Sequence, residues 1–385
     1  VTAPLGGIVV VSLEQAISAP FATRQLADLG ATVIKVERPG GDFARHYDAD
    51  VQGESAFFVW ANRGKQSVVL DIKNDGDAET FFALVAGADV FVQNISPDAA
   101  ERMGIGAEQL HVRFPGLIAC EISGYGAGGP RSADKAYDLA VQAEAGAFSV
   151  TGDETMSKVG FSVADISAGM YAMSGILAAL VRRERTGEGA AISVSMLDSL
   201  VEWMSAPLYA AVHGKGQAPR TSRRHHAIAP YGTFALASGK VILIAIQNDR
   251  EWQRMADVVL ANAALATDER FATNAARIAN VEETENLVSE GFRLLSDEDA
   301  LARLAEAGIA TARVNDLADV WKHEQLRARG RFVEVDTPGG PLELLAEPFG
   351  ISEWSPGRRR IPALGEHDPA VVEGIIGRGK SSGAN

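Results

Sequence analysis

Over about the first 200 residues, short β-branched apolar runs alternate with segments whose apolar residues recur every three or four positions. Residues 8–13 form the first such run. Ala22, Leu26 and Leu29 follow at helical spacing, behind a Pro20 that a first helical turn tolerates. Gly30 is placed to stop that helix, and 32–36 reads as a second buried strand. The same grammar predicts a strand at 67–70, a helix near 77–86, and strands at 89–93 and 117–122. Alternation of this kind predicts an α/β fold, a parallel sheet with helices on both faces and right-handed connections in a Rossmann-like layer.

A long helix is expected at about 166–183, rich in Ala, Gly, Met and Leu. It is apolar around most of its surface, so it belongs in the core or in a subunit interface. A strand at 192–194 leads into a helix at 197–212, and the basic, polar stretch 215–224 reads as a linker or mobile loop. From Pro230 to about Val314 the texture changes to a strand at 241–246 followed by several helices, with Ser296-x-x-Asp299 resembling a capping box. The expected layout is a large Rossmann-like domain over 1–200 and a smaller α+β domain over 215–320. A Pro-, Gly- and Arg-rich segment over 325–376 returns to the first domain, and a disordered tail covers 377–385.

Composition narrows the function classes. A net charge of −14 argues against non-specific nucleic-acid binding and against an anionic membrane surface. It leaves room for a small anionic ligand in a locally basic pocket. One cysteine, Cys120, rules out an intramolecular disulfide framework and a Cys-rich metal site. Val1-Thr2-Ala3-Pro4 carries neither a basic segment nor an apolar stretch, so the expectation is a reducing cytoplasm.

Gly124-Tyr125-Gly126-Ala127-Gly128-Gly129 matches G-x-G-x-x-G after a predicted strand. A dinucleotide site needs a helix to open there, and Pro130-Arg131-Ser132 follows instead, so a glycine-rich loop beside a site is the better reading. Asp165 stands between an apolar run and the Gly/Ala-rich helix. It reads as a helix N-cap, or as a carboxylate aimed into a cleft and kept ionised by the helix dipole; the two are compatible. Asp138 is a second candidate, read first as a cap. Arg223-Arg224-His225-His226 beside Tyr231 is either a solvated charge run or a pocket for a carboxylic acid, which guanidinium groups grip bidentately. The histidines have no further ligand cluster at metal-binding spacing, so no metal is expected.

Several strings resemble the class III CoA transferases, the CaiB/BaiF family. They are Pro4-Leu5-x-Gly7-Ile8-x-Val10, Leu29-Gly30-Ala31-x-Val33-Ile34-Lys35-Val36-Glu37-Arg38-Pro39, Asn94-Ile95-Ser96-Pro97 and Gly124-Tyr125-Gly126. Tyr137-Asp138-x-x-x-Gln142-Ala143, Glu184-Arg185-Thr186-Gly187-Glu188-Gly189 and Leu364-Gly365-Glu366-His367 complete the set. The resemblance covers nearly the whole chain. It implies a Rossmann-like large domain built from both chain ends, a small domain, and a homodimer of interlocked rings. It also implies CoA transfer from an acyl-CoA to a small carboxylic acid, with no tightly bound cofactor.

By the same resemblance Asp165 is the nucleophile that becomes an aspartyl anhydride and then an aspartyl-CoA thioester. CoA contacts are implied for Ile17, Ser18, Arg38, Leu70, Lys73, Asn94, Ile95, Ser96, Arg102, Lys135, Ala136, Tyr137, Asp138 and Met196. Substrate contacts are expected from Gly124, Tyr125 and Gly126, whose loop could offer N–H groups to oxyanions, and from Arg223, Arg224, His225, His226 and Tyr231. Formyl-CoA transferase carries a glutamine where Ile17 stands, and a glycine-rich loop that has no counterpart after Tyr231. These departures point away from oxalate and formate, whereas Arg223-Arg224-His225-His226 and Ala229-Pro230-Tyr231-Gly232 resemble members that act on C4 and C5 dicarboxylates. The α-methylacyl-CoA racemases of the same superfamily use a histidine where Tyr137 stands, and a phenol with an ordinary pKa of about 10 suits that proton transfer poorly. A CoA-binding module without catalysis is the remaining alternative and predicts no covalent adduct.

Overall fold

The computed structural model describes residues 3–357 and 359–367, and beyond them residues 372, 374, 375 and 377. The chain divides into two compact units. The larger comprises Val1–Ala147, Lys158–Ala206 and Gln325–Asn385, and the smaller Phe148–Ser157 and Pro207–Glu324.

The larger unit is built on six parallel strands: β1 (Val9–Leu13), β2 (Thr32–Glu37), β3 (Lys65–Val69), β4 (Val90–Gln93), β5 (Ile118–Ser123) and β6 (Ala190–Ser195). Their order is β3-β2-β1-β4-β5-β6, and every pairing is parallel. Among the described residues the strands are followed or linked by α1 (Ser18–Asp28), α2 (Ala56–Asn62), α3 (Asp75–Ala86), α4 (Pro97–Arg102), α5 (Ala107–Arg113), α6 (Asp138–Glu144), α8 (Val163–Thr186) and α9 (Met196–Trp203), while α7 (Ala147–Val150) falls almost wholly in the smaller unit.

Strand side chains alternate between two cores, as a period of two requires. Val10, Val33, Val92 and Cys120 meet α1, α6, α8 and α9 on one face. Val9, Val11, Ile34 and Phe91 meet α3, α4 and α5 on the other. Burial on both faces explains why the strands read as unbroken apolar runs. Gly30, at φ +95, ends α1 and lets the chain turn into β2.

By length and composition α8 could cross a membrane. Here Val163, Ala164, Ala168, Ala172, Ile176 and Leu180 bury it in the first core instead. The single helix expected at 197–212 is two, α9 and α10 (Ser205–His213). Pro207, which has no N–H, falls in the first turn of the second, where none is required.

In the smaller unit three antiparallel strands, β7 (Tyr231–Ala235), β8 (Val241–Ala245) and β9 (Ala310–Arg313), pack on helices around Trp252, Phe271 and Phe292. Ser296 caps a helix there by accepting the Asp299 N–H at 3.1 Å, in line with its sequence. The late segment forms a hairpin, β10 (Phe332–Thr337) with β11 (Gly340–Leu345), and β12 (Arg359–Arg360) lies parallel to β10. Val335 and Ile361 pack on Phe58 and Val59 of α2, and Arg359 bonds Asp28 of α1, so this segment completes the larger unit. Of the tail expected to be disordered, all but Gly377 lies outside the described residues.

Candidate active site

The carboxyl edge of the parallel sheet gathers several chain segments. After β1 the chain turns through Glu14, Gln15, Ala16 and Ile17 into α1. After β4, Asn94, Ile95 and Ser96 lead into α4, and the starts of α6, α8 and α9 converge on the same place. β1 and β4 are neighbours whose following helices cover opposite faces. That is the topological switch point at which open α/β sheets bind ligands. A cleft of about 500 Å³ opens there. Twelve residues singled out in the sequence line it: Ile17, Ser18, Asn94, Ile95, Ser96, Gly124, Lys135, Ala136, Tyr137, Asp138, Asp165 and Met196.

Asp165 is not the N-cap of α8. Ser162 holds that position and Asp165 is the third helical residue. The N–H groups of this first turn are taken by Asp138, whose Oδ1 accepts from Ala164 at 2.8 Å and from Asp165 at 3.4 Å. Asp138 is therefore a cap, but of α8 and not of its own helix, where Tyr137 is the N-cap. Its other oxygen accepts from Gln142 Nε2 at 2.7 Å.

With its own turn capped from elsewhere, the Asp165 carboxylate faces the start of α1, where the Ser18 hydroxyl and backbone N–H favour its charged form. Gly169 makes this meeting possible. It lies one turn further along the same face of α8, and a Cβ there would come within 2.7 Å of the Ser18 carbonyl oxygen and 2.9 Å of the Phe21 ring.

Burial and, second, the Asp138 charge push the Asp165 carboxyl up to about 7, against the two Ser18 hydrogen bonds. Desolvation thus opposes the helix dipole expected to keep this group ionised. Burial first, with Asp42, Asp165 and Tyr137 adding to it, also raises Tyr47.

Sequence reasoning passed over three aromatic residues of the lining, Phe43, Tyr47 and Phe57. Their rings pack in series, Phe43 on Tyr47 at 5.6 Å and Tyr47 edge-on to Phe57 at 5.6 Å. The available signal was aromatic side chains on short helical turns, where a core position is not required.

Four expected CoA contacts, Arg38, Leu70, Lys73 and Arg102, lie outside the lining. Arg38, Leu70 and Lys73 follow the carboxyl ends of β2 and β3, and Arg102 ends α4. Arg38, Lys73 and Arg102 are exposed, whereas Leu70 is buried. From the glycine loop only Gly124 reaches the cleft. The Gly126 N–H is engaged by Ser123 Oγ at 3.2 Å, and Tyr125 lies under the Arg131 guanidinium, 4.3 Å from the ring centre. No helix opens before Asp138, so the loop lacks the phosphate-binding geometry of a dinucleotide site.

In the smaller unit, Arg223 and Arg224 line a cavity of about 550 Å³ with Glu285, and Arg224 Nε is 3.8 Å from that carboxylate. The His225 ring stacks on His226 at 4.8 Å and on Tyr231 at 5.3 Å. Among the described residues no three His, Cys, Asp or Glu side chains stand close enough to hold a metal ion. Cys120 is buried within the sheet, its thiol pushed up to about 12 by burial, so it offers no thiolate.

The sequence profile of the family described as CoA-transferase family III matches residues 5–368. A succinate–glutarate CoA-transferase of Agrobacterium fabrum is 35% identical over 384 residues, covering 96% of this chain and 95% of that one. An acetyl-CoA:oxalate CoA-transferase of Acetobacter aceti is 36% identical over 349 residues, covering 89% of each chain. The crystal structure of a CAIB/BAIF family protein from Brucella suis matches with a TM-score of 0.85 at 33% identity, covering 97% of this chain and 100% of that one.

Proposed function

Because the chain belongs to CoA-transferase family III, and so moves CoA from an acyl-CoA to a carboxylic acid, we propose that Asp165 is the group that carries the CoA and that the acids are C4 and C5 dicarboxylates. The observation that carries the first part is the placement of Asp165. It is a carboxylate poised near pH 7, facing the cleft at the switch point, with hydrogen-bond donors on one side and Asp138 on the other.

An Asp165 oxygen attacks the donor thioester carbon, the C–S bond breaks, and CoA leaves as the thiolate. The thiolate then attacks Cγ of Asp165, which releases the donor acid and leaves an aspartyl-CoA thioester. The acceptor carboxylate attacks that Cγ and expels the thiolate, which attacks the acceptor acyl carbon and returns Asp165 as a carboxylate. No net proton is needed, and each stage preserves an activated acyl group. The Ser18 N–H and O–H, which face the carboxylate and favour its charged form, are the donors available to the oxyanion each time Cγ becomes tetrahedral.

Exposed Lys135 lines the cleft, and Arg38, Lys73 and Arg102 supply cations for the CoA phosphates along the same edge of the sheet.

The dicarboxylate reading draws on the relatives named for succinate, glutarate and oxalate, all diacids. It also draws on a second cavity of about 490 Å³ that shares Phe57, Asp138, Leu139 and Ser162 with the cleft. Trp60, Phe161 and Ile166 give it an apolar wall for a short methylene chain, and Lys158 gives it a cation for a distal carboxylate. On the chemistry of bidentate pairing alone, Arg223 and Arg224 are assigned to the free acceptor acid.

The same reading includes a homodimer in a reducing cytoplasm. Exposed Tyr171, Val181 and Trp203 are apolar surface that a second copy would cover.

The test combines a panel of acyl-CoAs and acids with intact-mass measurement after borohydride or hydroxylamine trapping. The expected results are a CoA adduct in the intact mass before trapping, its replacement by an alcohol or a hydroxamate on the Asp165 peptide after trapping, and a kcat/KM at least about tenfold higher for succinate and glutarate than for acetate. Transfer confined to monocarboxylates, or oxalate favoured over the longer diacids, would reject the substrate assignment. Undiminished transfer by Asp165→Asn would reject the carrier.

A further inference from the structure

Ala16 has a left-handed backbone, φ +59, directly before the start of α1. An alanine held there is strained and persists only where its surroundings fix it. Two clamps do so. Asn94 Oδ1 accepts the Gln15 N–H at 2.9 Å while its Nδ2 donates to the Gln15 carbonyl at 2.9 Å. Asp42 Oδ1 accepts the Ala16 N–H at 3.0 Å and the Ala44 N–H at 2.9 Å.

Behind the second clamp lies a buried ionic group. Asp42 Oδ2 takes Lys35 Nζ at 2.8 Å, and the Asp42 N–H donates to Glu37 at 2.9 Å. Lys35 also donates to the Glu14 carbonyl at 3.3 Å, and the Glu14 carboxylate takes Lys65 at 2.6 Å and the Thr23 hydroxyl at 2.7 Å. Glu14, Lys35, Glu37, Asp42 and Lys65 are all at most 5% exposed. Buried ion pairs seldom stabilise a fold more than apolar packing would, so their use at this turn calls for a reason other than stability.

What the turn delivers is Ser18, two residues past Ala16. Asn94 Nδ2 donates to Ser18 Oγ at 3.2 Å, so the serine oxygen is already an acceptor and its own proton is left for Asp165.

We propose that Asp42 is a positioning residue for CoA transfer: by holding Ala16 in its left-handed turn it aims the Ser18 N–H and hydroxyl at Asp165. The inference rests on Asp165 being the carrier. The titratable groups facing Asp165 are Asp138 from α6, Tyr137 before it, and Tyr47. Those facing Asp42 are Lys35, Glu14, Glu37, Lys65 and Tyr47. Weakening the Ser18 donors removes what holds the Asp165 carboxyl down, so its pKa rises. Because the ionised form attacks, the acid limb of the rate profile then moves to higher pH.

The experiment uses the full chain with Asp42→Ala, which removes the acceptor that clamps the turn, and, separately, Ala16→Val, whose branched Cβ disfavours the left-handed turn and leaves every buried charge in place. kcat and the KM for acyl-CoA are measured from about pH 5 to about pH 9, beside Tm. In both variants kcat is expected to fall about tenfold or more with KM within about twofold, and the acid limb to move up by about half a pH unit. If Asp42→Ala does not fold, Ala16→Val decides. Acid limbs and kcat that match the unaltered protein, with only Tm lowered, would reduce the network to a structural role and overturn the proposal. Adduct mapping on the unaltered protein separates the two readings. No adduct on Asp165 sinks the carrier, whereas an Asp165 adduct with unmoved limbs sinks only the role of Asp42.

Discussion

Asp138 Oδ1 lies 3.4 Å from the backbone nitrogen of Asp165, so one aspartate caps the helix from which the other projects. The same closeness raises the proton affinity of Asp165. Asp138→Asn keeps an oxygen acceptor for the cap and removes the charge. Its acid limb for transfer should move down by up to about one pH unit. Asp138→Leu loses the cap as well and should be about 1 kcal/mol less stable by urea denaturation. A limb that stays in place in Asp138→Asn would mean that desolvation alone sets the Asp165 carboxyl.

Stability carries the signature of Asp165 with the opposite sign to that of an ordinary salt-bridged carboxylate. Its folded-state pKa, about 7, is above the ordinary value of 3.8. The folded state therefore holds this proton more tightly than the unfolded chain does. The resulting stabilisation is complete below about pH 4 and is lost as pH rises through about 7. Asp165→Asn removes the titration, so its Tm should exceed that of the unaltered protein at about pH 8 and the gap should close by about pH 4. A constant difference across that range would contradict the raised pKa.

Gly169→Ala should displace the start of α1, because the new Cβ would stand 2.7 Å from the Ser18 carbonyl oxygen. Backbone cannot yield there as a flexible side chain can, so transfer is expected to fall about tenfold or more and Tm to drop. Gly175→Ala is the matched control in the same helix, since its Cβ would meet only the Ile192 side chain at 3.4 Å. Equal losses in the two variants would show that α8 packing in general, and not the Ser18–Asp165 contact, is at stake.

Lys158→Met tests the distal-carboxylate assignment. The KM for succinyl-CoA and glutaryl-CoA should rise about tenfold while that for acetyl-CoA stays within about twofold. A uniform rise for all three would assign Lys158 to the CoA moiety.

Lys135→Ala and Arg102→Ala should each raise the KM for every acyl-CoA by roughly three- to tenfold with kcat little changed. The effect should shrink as salt screens exposed charge. Measurements at low and high ionic strength check both parts.

The parallel sheet was legible because its central strands are buried on both faces and so appear as short β-branched runs. The residue positions of the cleft were legible from the resemblance, because they lie in the strings around Asn94 and Asp138. The pairing of Asp138 with the first turn of α8 was not legible. It joins residues 26 apart through a side-chain to backbone bond, and a cap is sought by habit beside its own helix. The β10–β11 hairpin was missed although Pro338-Gly339 marks its turn, because β11 alternates only weakly between half-buried and exposed positions. The Asp42–Ala16 clamp left no trace in periodicity. A left-handed alanine looks like any other alanine in the sequence, and only the backbone angle discloses it.

Arg359 reaches back across 331 positions to the α1 residue Asp28, which Arg24 and Arg63 already hold. On the ribosome, α1 and the strands beside it emerge early, yet this contact cannot form until Arg359 has emerged too. The unit that holds the cleft is thus closed late, and a nascent chain cut short of residue 359 would carry Asp165 without a completed scaffold around it.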